Sequence, residues 1–289
     1  MNSEKIVERR EFMLLNLLYT LSALVALGLC VLTGAFESLA WLWLMPLGFV
    51  VTLVLGLLTC YLIIWDAARR TDKEKEFETD DPFIRTIVKY YAPTVFRLLG
   101  CKLETRGTEN LPKDGRFLLV SNHLCDLDPG FFLKTFCDDQ LAFIAKKEVR
   151  DMPIVGVLMR RLLCQFVNRE NDREALKTIL KCIAILKEDK ASVAVFPEGR
   201  ITKDGKLLHH FRPGVFKIAQ KANVPIVVCT LKGAEDLFDN VKKLRRSRVH
   251  LHLVGVIPAE ELKGVTTVDI AARVHAMMAE DLGAEHVAA

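Results

Sequence analysis

From Phe12 to Phe36, and again from Leu39 to Trp65, the chain carries no charged side chain. Each run exceeds the roughly 20 residues that a helix needs to cross hydrocarbon, so two membrane helices are predicted, at about 12–35 and 40–65. Only Ala35 to Ser38 or so, including Glu37, lies between them, which requires a tight antiparallel hairpin with both outer ends on one side. Lys5, Arg9 and Arg10 precede the hairpin, and Arg69, Arg70, Lys73 and Lys75 follow it, whereas the turn has no basic residue. The positive-inside rule then puts both ends, and everything after residue 66, on the cytoplasmic side of the cell membrane. Trp41, Trp43 and Trp65 sit near the ends of the second run, where an aromatic belt places them. A cleaved signal peptide fits less well, because its apolar core is only about 7–15 residues long. A hairpin entering one leaflet only satisfies the same pattern.

Beyond the hairpin the pattern changes twice. Residues 71–81 form a charged linker. Pro82 to Leu99 then sets Phe83, Ile84, Ile87, Val88, Tyr91, Val95, Phe96 and Leu99 against Arg85, Lys89 and Arg97. This suits a helix lying at the membrane interface or packed on its own domain, with Pro93 expected to kink or break it. From residue 101, short apolar runs alternate with helical periodicity. Strands are expected at Phe117–Ser121, Leu141–Ala145, Leu163–Val167, Ser192–Phe196, Ile226–Leu231 and Val249–Val254. Helices are expected at Pro129–Phe136, Val149–Leu158, Arg173–Lys187, Gly214–Ala222 and Val268–Leu282. Strands alternating with helices make βαβ units. The fold class is therefore α/β: a mostly parallel sheet flanked by helices, preceded by the N-terminal two-helix membrane hairpin. The chain divides into a hairpin (1–70), a linker with the interfacial helix (71–100) and a domain of 101–289.

Composition narrows the function classes. A net charge of +4 over 289 residues, with no basic helix interleaved with aromatics, excludes a nucleic-acid binder. The small basic excess suits an anionic membrane surface and phosphate-bearing ligands. The eight cysteines include no Cys-x-x-Cys pair, and no histidine cluster has zinc spacing, so reduced thiols and no metal are expected.

In a parallel α/β sheet, chemistry gathers in loops beyond the C-terminal ends of strands. One such loop holds Asn122-His123-Leu124-Cys125-Asp126-Leu127-Asp128. An imidazole with a carboxylate partner is a general base. Asp128 also suits the N-cap of a helix whose first residue is Pro129, and Asp126 is a rival partner for His123. A second loop, Phe196-Pro197-Glu198-Gly199-Arg200, adds a guanidinium and a flexible turn. A third, Phe166-Val167-Asn168-Arg169, delivers another arginine at a strand end. Arginines at neighbouring strand ends can hold a phosphate in charge-assisted forks. Phe211-Arg212-Pro213-Gly214 and Val224-Pro225-Ile226-Val227-Val228 read as packing and turn elements on composition alone. Lys146, Lys147, Arg150, Arg160 and Arg161 form a basic stretch that suits anionic lipid, the phosphates of an acyl carrier or a solvated face.

Taken in order, the blocks at 122–128, 166–169, 196–199 and 224–227 resemble the glycerophospholipid acyltransferase family, specifically the 1-acyl-sn-glycerol-3-phosphate (lysophosphatidic acid) acyltransferases. The resemblance runs from about Cys101 to about Leu231. It implies a catalytic dyad of His123 and Asp128, with Arg169, Glu198 and Gly199 binding the acceptor's glycerol phosphate. It also implies an acyl thioester donor, acyl-CoA or an acyl-acyl carrier protein, no cofactor, and phosphatidic acid as product. One departure matters: the family's Phe-Pro-Glu-Gly-Thr-Arg-Ser is here Phe196-Pro197-Glu198-Gly199-Arg200-Ile201-Thr202. The shifted Arg200 remains a substrate-binding candidate. It also opens an alternative acceptor, another lysophospholipid such as a lysophosphatidylethanolamine. A different class, a membrane lipid-binding protein without turnover, has no need of the base. A serine hydrolase lacks its Gly-x-Ser-x-Gly elbow. The resemblance gives Cys125 no role. A developing oxyanion needs N–H donors, for which the helix starting near Pro129 is the candidate.

Overall fold

The computed structural model describes residues 3–70, 76–136, 138–168 and 171–288, with no account of the side chains of 3–15, 60 and 67. Two compact units divide between residues 75 and 76.

The first unit is a helical hairpin of α1 (Ser3–Leu32) and α2 (Trp41–Arg69), joined through a 3-10 turn at Ala35–Glu37. Gly34 takes a left-handed φ of 65° where α1 stops. The helices run antiparallel: Tyr19 meets Phe49 with ring centroids 6.1 Å apart, and Ala26 lies against Gly48. Thr52 Oγ1 hydrogen-bonds within its own helix, to Gly48 O at 2.6 Å, as an apolar environment demands. Among the described residues, the stretch 41–66 is the one helix long and apolar enough to cross a membrane; 16–32 is apolar but shorter.

In the second unit, seven strands lie side by side: β1 (Cys101–Arg106), β2 (Leu118–Val120), β3 (Leu141–Lys146), β4 (Gln165–Val167), β5 (Ser192–Val195), β6 (Ile226–Lys232) and β7 (Ser247–Ile257). Their order is β1-β7-β6-β2-β5-β3-β4, and every neighbouring pair is parallel except β6 with β7. Central β2 and β5 are buried at every residue, the mark of strands covered on both faces. The covering helices are α3 (Pro82–Leu98), α4 (Asp128–Thr135), α5 (Val155–Arg161), α6 (Asp172–Lys187), α7 (Lys217–Ala222), α8 (Leu237–Lys242) and α9 (Thr267–Leu282).

Three expectations are corrected here. β1 was not foreseen, because Lys102, Glu104 and Arg106 break its apolar pattern; it is an edge strand paired only with β7 and needs no second apolar face. The single helix expected at 149–158 is split into a 3-10 segment, Lys147–Asp151, and α5, with Pro153 between them. Pro93 does not break α3. It is buried, and the helix runs through it, with Phe96 stacked on Phe131 at 4.2 Å, so packing outweighs the lost backbone bond. That face of α3 lies on its own domain, while Phe83, Val95 and Leu98 remain exposed.

The connections place the chemistry. After β2 the chain crosses β5 to reach β3, and after β5 it crosses β2 to reach β6. Adjacent strands whose connections leave in opposite directions form a topological switch point, which leaves a crevice beyond their C-terminal ends.

Candidate active site

His123 stands in the loop after β2, Asp128 opens the helix that this loop leads into, and Glu198 stands in the loop after β5, so the switch point brings them together. Asp128 is fully buried. Its Oδ2 accepts N–H bonds from Leu124 (2.6 Å) and Cys125 (2.9 Å) and lies 2.9 Å from His123 Nδ1. An oxygen already accepting two backbone donors is an acceptor toward the ring as well. Nδ1 therefore carries the hydrogen, and Nε2 presents its lone pair, with no hydrogen bond to it among the described residues. The ring is fixed from the side by Phe196, stacked at 4.3 Å and 12°.

Two local readings change. Asp128 does not cap α4: it is the helix's first residue, Leu127 is the N-cap, and the carboxylate turns back onto the preceding loop. Asp126 is exposed and leaves His123 to Asp128. The first three positions of α4 offer no oxyanion donor. Asp128 N–H is bonded to Cys125 O, Pro129 has no N–H, and Gly130 N–H is bonded to Leu127 O. Cys125 is buried, its thiol donates to Asp128 Oδ1 at 3.2 Å, and burial next to that carboxylate pushes its pKa far up. A protonated, buried thiol is no nucleophile.

Asn122 is a residue for which the sequence reading had no role. Its Nδ2 donates to Leu207 O and Leu231 O, both at 2.9 Å, and its Oδ1 accepts from Leu231 N at 2.8 Å. It thus ties the dyad loop to β6 and to the loop after β5. Its signal was its place beside His123 at the end of an apolar strand.

Glu198 is 5% exposed, and neither carboxyl oxygen has a hydrogen bond in good geometry. The backbone N–H groups of His123 and His209 face it, and His209 Nδ1 lies 3.4 Å from Oε2. Burial, reinforced by the charges of Asp128 and Asp204, lifts its pKa from 4.5 to about 8. In the unfolded chain this proton leaves near pH 4.5, but in the fold only near 8, so stability falls as pH rises through that window. Glu198→Gln removes the cost. Thermal melts should show the variant several degrees more stable than wild type above pH 8, with the difference vanishing near pH 4.

Gly199 has a φ of +73°, and a Cβ there would lie 3.2 Å from Arg212 Nε. Glycine thus allows both the turn and the approach of the Arg212 side chain. Arg212 N–H donates to Pro197 O at 2.9 Å, which returns the loop to its start. Arg200 and Arg212 are both exposed at this turn. Arg212 was read as a packing element because it lies thirteen positions from Gly199 in sequence, and only the loop closure brings its side chain over that residue. Arg169 lies outside the described residues. Its strand, β4, is not the neighbour of β5, since β3 stands between them, about 10 Å from strand to strand overall. In the basic stretch, Arg160 is buried, and Arg161 pairs with Asp81 at 2.7 Å, so these two serve the fold.

The loop from 200 to 212 is held by the C-terminal tail. Leu207 N–H donates to His286 O (2.8 Å), Ala288 N–H to Leu208 O (2.8 Å) and Lys206 Nζ to Glu285 O (2.8 Å). Truncation after Gly283 removes these bonds. It is expected to cost about 2–4 kcal/mol in urea unfolding and to open residues 200–212 to limited proteolysis.

Residues 102–232 match the family model described as Acyltransferase. Over this segment the chain resembles the glycerophospholipid acyltransferases of the 1-acyl-sn-glycerol-3-phosphate type. It is 30% identical over 141 residues to the 1-acyl-sn-glycerol-3-phosphate acyltransferase of Borreliella burgdorferi, covering 49% of this chain and 55% of that protein. It is 31% identical over 177 residues to the probable 1-acyl-sn-glycerol-3-phosphate acyltransferase of Mycoplasma pneumoniae, covering 60% of this chain and 65% of that one. The match thus spans less than two thirds of each of these relatives. The crystal structure of the 1-acyl-sn-glycerophosphate acyltransferase PlsC from Thermotoga maritima superposes with a TM-score of 0.58 at 24% identity, over 76% of this chain and 86% of that one. That likeness establishes the fold: a mixed α/β sheet with flanking helices.

Proposed function

We propose that this protein transfers a fatty acyl group from an acyl thioester, acyl-CoA or acyl-acyl carrier protein, to the free hydroxyl of 1-acyl-sn-glycerol-3-phosphate, giving phosphatidic acid. The observation that carries this reading is the His123–Asp128 pair, with its bare Nε2 in a switch-point crevice beside a buried carboxyl. Asp128 holds Nδ1–H, and Nε2 takes the proton of the acceptor hydroxyl as its oxygen attacks the thioester carbonyl. The tetrahedral intermediate collapses, the C–S bond breaks, and the imidazolium returns the proton to the leaving thiolate. The thioester is already activated, so no covalent enzyme intermediate, metal or cofactor is needed.

Glu198 and the Gly199 turn would hold the glycerol part of the acceptor, and Arg200, Arg212 and Arg169 its phosphate. A guanidinium–phosphate bond contributes about 1.5–3 kcal/mol. Arg212→Gln should therefore raise the acceptor KM roughly tenfold or more with little change in kcat, as steady-state kinetics would show. The α1–α2 hairpin would anchor the enzyme in the cell membrane with its catalytic unit on the cytoplasmic side, at the surface where lysolipid and product partition. Membrane lipids, and acyl carrier protein if it is the donor, are the partners.

The shifted Arg200 favours one alternative, a zwitterionic lysolipid acceptor such as lysophosphatidylethanolamine. The test is transfer from a labelled acyl thioester to a panel of lysophospholipids by the purified protein. Preference for lysophosphatidic acid supports the first reading, preference for another lysolipid the second, and absence of transfer to any of them removes both.

A further inference from the structure

Glu198 is a buried carboxyl whose oxygens lack hydrogen bonds in good geometry, an arrangement that is costly unless a neighbour manages its proton. Among the described residues, the ionisable nitrogen against it is His209 Nδ1, 3.4 Å from Oε2. On the other side of the ring, Nε2 lies 3.1 and 3.0 Å from Asp204 Oδ1 and Oδ2. The Lys206 backbone N–H and the His209 ring hold Asp204 below the usual carboxylate range. An ionised Asp204 accepts, so Nε2 carries a hydrogen, and the neutral ring turns its Nδ1 lone pair toward Glu198. This carboxylate–imidazole–carboxylate row sits on a loop closed by Arg212 N–H on Pro197 O and clamped by the C-terminal tail, so its geometry is built rather than incidental.

We propose that His209 is a positioning residue of the acceptor site: braced by Asp204, its Nδ1 shares one proton with Glu198 Oε2 and leaves Oε1 free to accept a hydrogen bond from the acceptor's glycerol. The proposal rests on the acyltransferase reading above. The proton is conserved: it lies on Glu198 facing a neutral ring, or on Nδ1 facing a carboxylate. When it is lost at alkaline pH, the site gains one negative charge. The charged groups that face Glu198 are then Asp128 from the start of α4 and Asp204 from its own loop, and an anionic acceptor is repelled. Burial pushes Glu198 up to about 8, which sets that loss just above neutrality.

The experiment is the pH profile of kcat/KM for lysophosphatidic acid, from pH 6 to 9.5, with the full-length protein, His209→Gln and Asp204→Asn. Wild type should lose acceptor affinity above about pH 8. In His209→Gln the amide N–H donates to an ionised Glu198, so the alkaline fall should begin about one pH unit lower. At pH 7.5 such a shift cuts the protonated fraction about threefold, so the acceptor KM should rise about threefold while kcat changes little. Asp204→Asn, at an exposed position, should move the fall in the same direction by less. A profile that keeps its shape in both variants, lowered by one factor at every pH, is what a purely structural role gives, and it overturns the proposal. If wild type transfers to no lysolipid, the function itself fails, and the shared proton is then read without turnover. The Glu198 carboxyl carbon signal, assigned by its loss in Glu198→Gln, should titrate at lower pH in His209→Gln. Superimposable titrations overturn the proposal whatever the activity.

Discussion

His123→Ala is expected to lower acyl transfer by about three orders of magnitude while the protein stays folded. A positioned general base contributes about 10²–10⁴ in rate, and the bare Nε2 is the group set to take the hydroxyl proton. Stability should change little, because the ring's contacts are one hydrogen bond to Asp128 and one stacked face on Phe196, and His123 is only partly buried. Single-turnover rates with a labelled acyl thioester, read beside a thermal melt, separate the two effects. A variant that retains more than a tenth of the wild-type rate would remove the dyad mechanism. Free imidazole added to His123→Ala offers a second check, since partial rescue requires that the missing group be a base rather than a packing element.

Asp128→Ala should strike both activity and fold, and that double loss distinguishes it from His123→Ala. The fully buried Asp128 carboxylate receives Leu124 N–H, Cys125 N–H, the Cys125 thiol and His123 Nδ1. Removing it strands two buried backbone donors, each costing about 1–3 kcal/mol, so a total loss of about 3–5 kcal/mol is expected in urea unfolding. Transfer should fall at least a hundredfold in the molecules that remain folded, because the imidazole loses its tautomer and its orientation together. Asp128→Asn tests the division. It keeps the volume and one acceptor oxygen, so much of the stability should return while the rate stays low. Full recovery of rate in Asp128→Asn would show that the carboxylate serves the loop alone.

Much of the domain was legible along the chain because burial dictates composition there. Strands covered on both faces are largely apolar, so Phe117–Ser121, Ser192–Phe196 and Ile226–Leu231 stood out as short apolar runs, and β2, β5 and β6 fall on them. The amphipathic α6 and α9 announced themselves by period, whereas their side-chain caps, Asn171 and Thr266, were found only in the structure. The edge strand β1 was illegible for the converse reason, since one neighbour and an exposed face tolerate Lys102, Glu104 and Arg106.

His123 and Asp128 were readable as a pair because the residues between them form a single loop, and a short loop brings its own ends together. What the sequence by itself determined about this protein is thus local: the apolar hairpin, the strand and helix periods, and the residues that carry chemistry within each block. Only the tertiary structure decided which blocks meet. The crossing of β2 and β5 puts Glu198 beside the dyad and β3 between the two arginine-bearing strands. The closure of the loop between Pro197 and Arg212 sets Arg212 over Gly199 and His209 against Glu198, and a tail some eighty residues away holds that loop in place. Such contacts depend on strand order and loop closure over long separations, which leave no period in a linear chain.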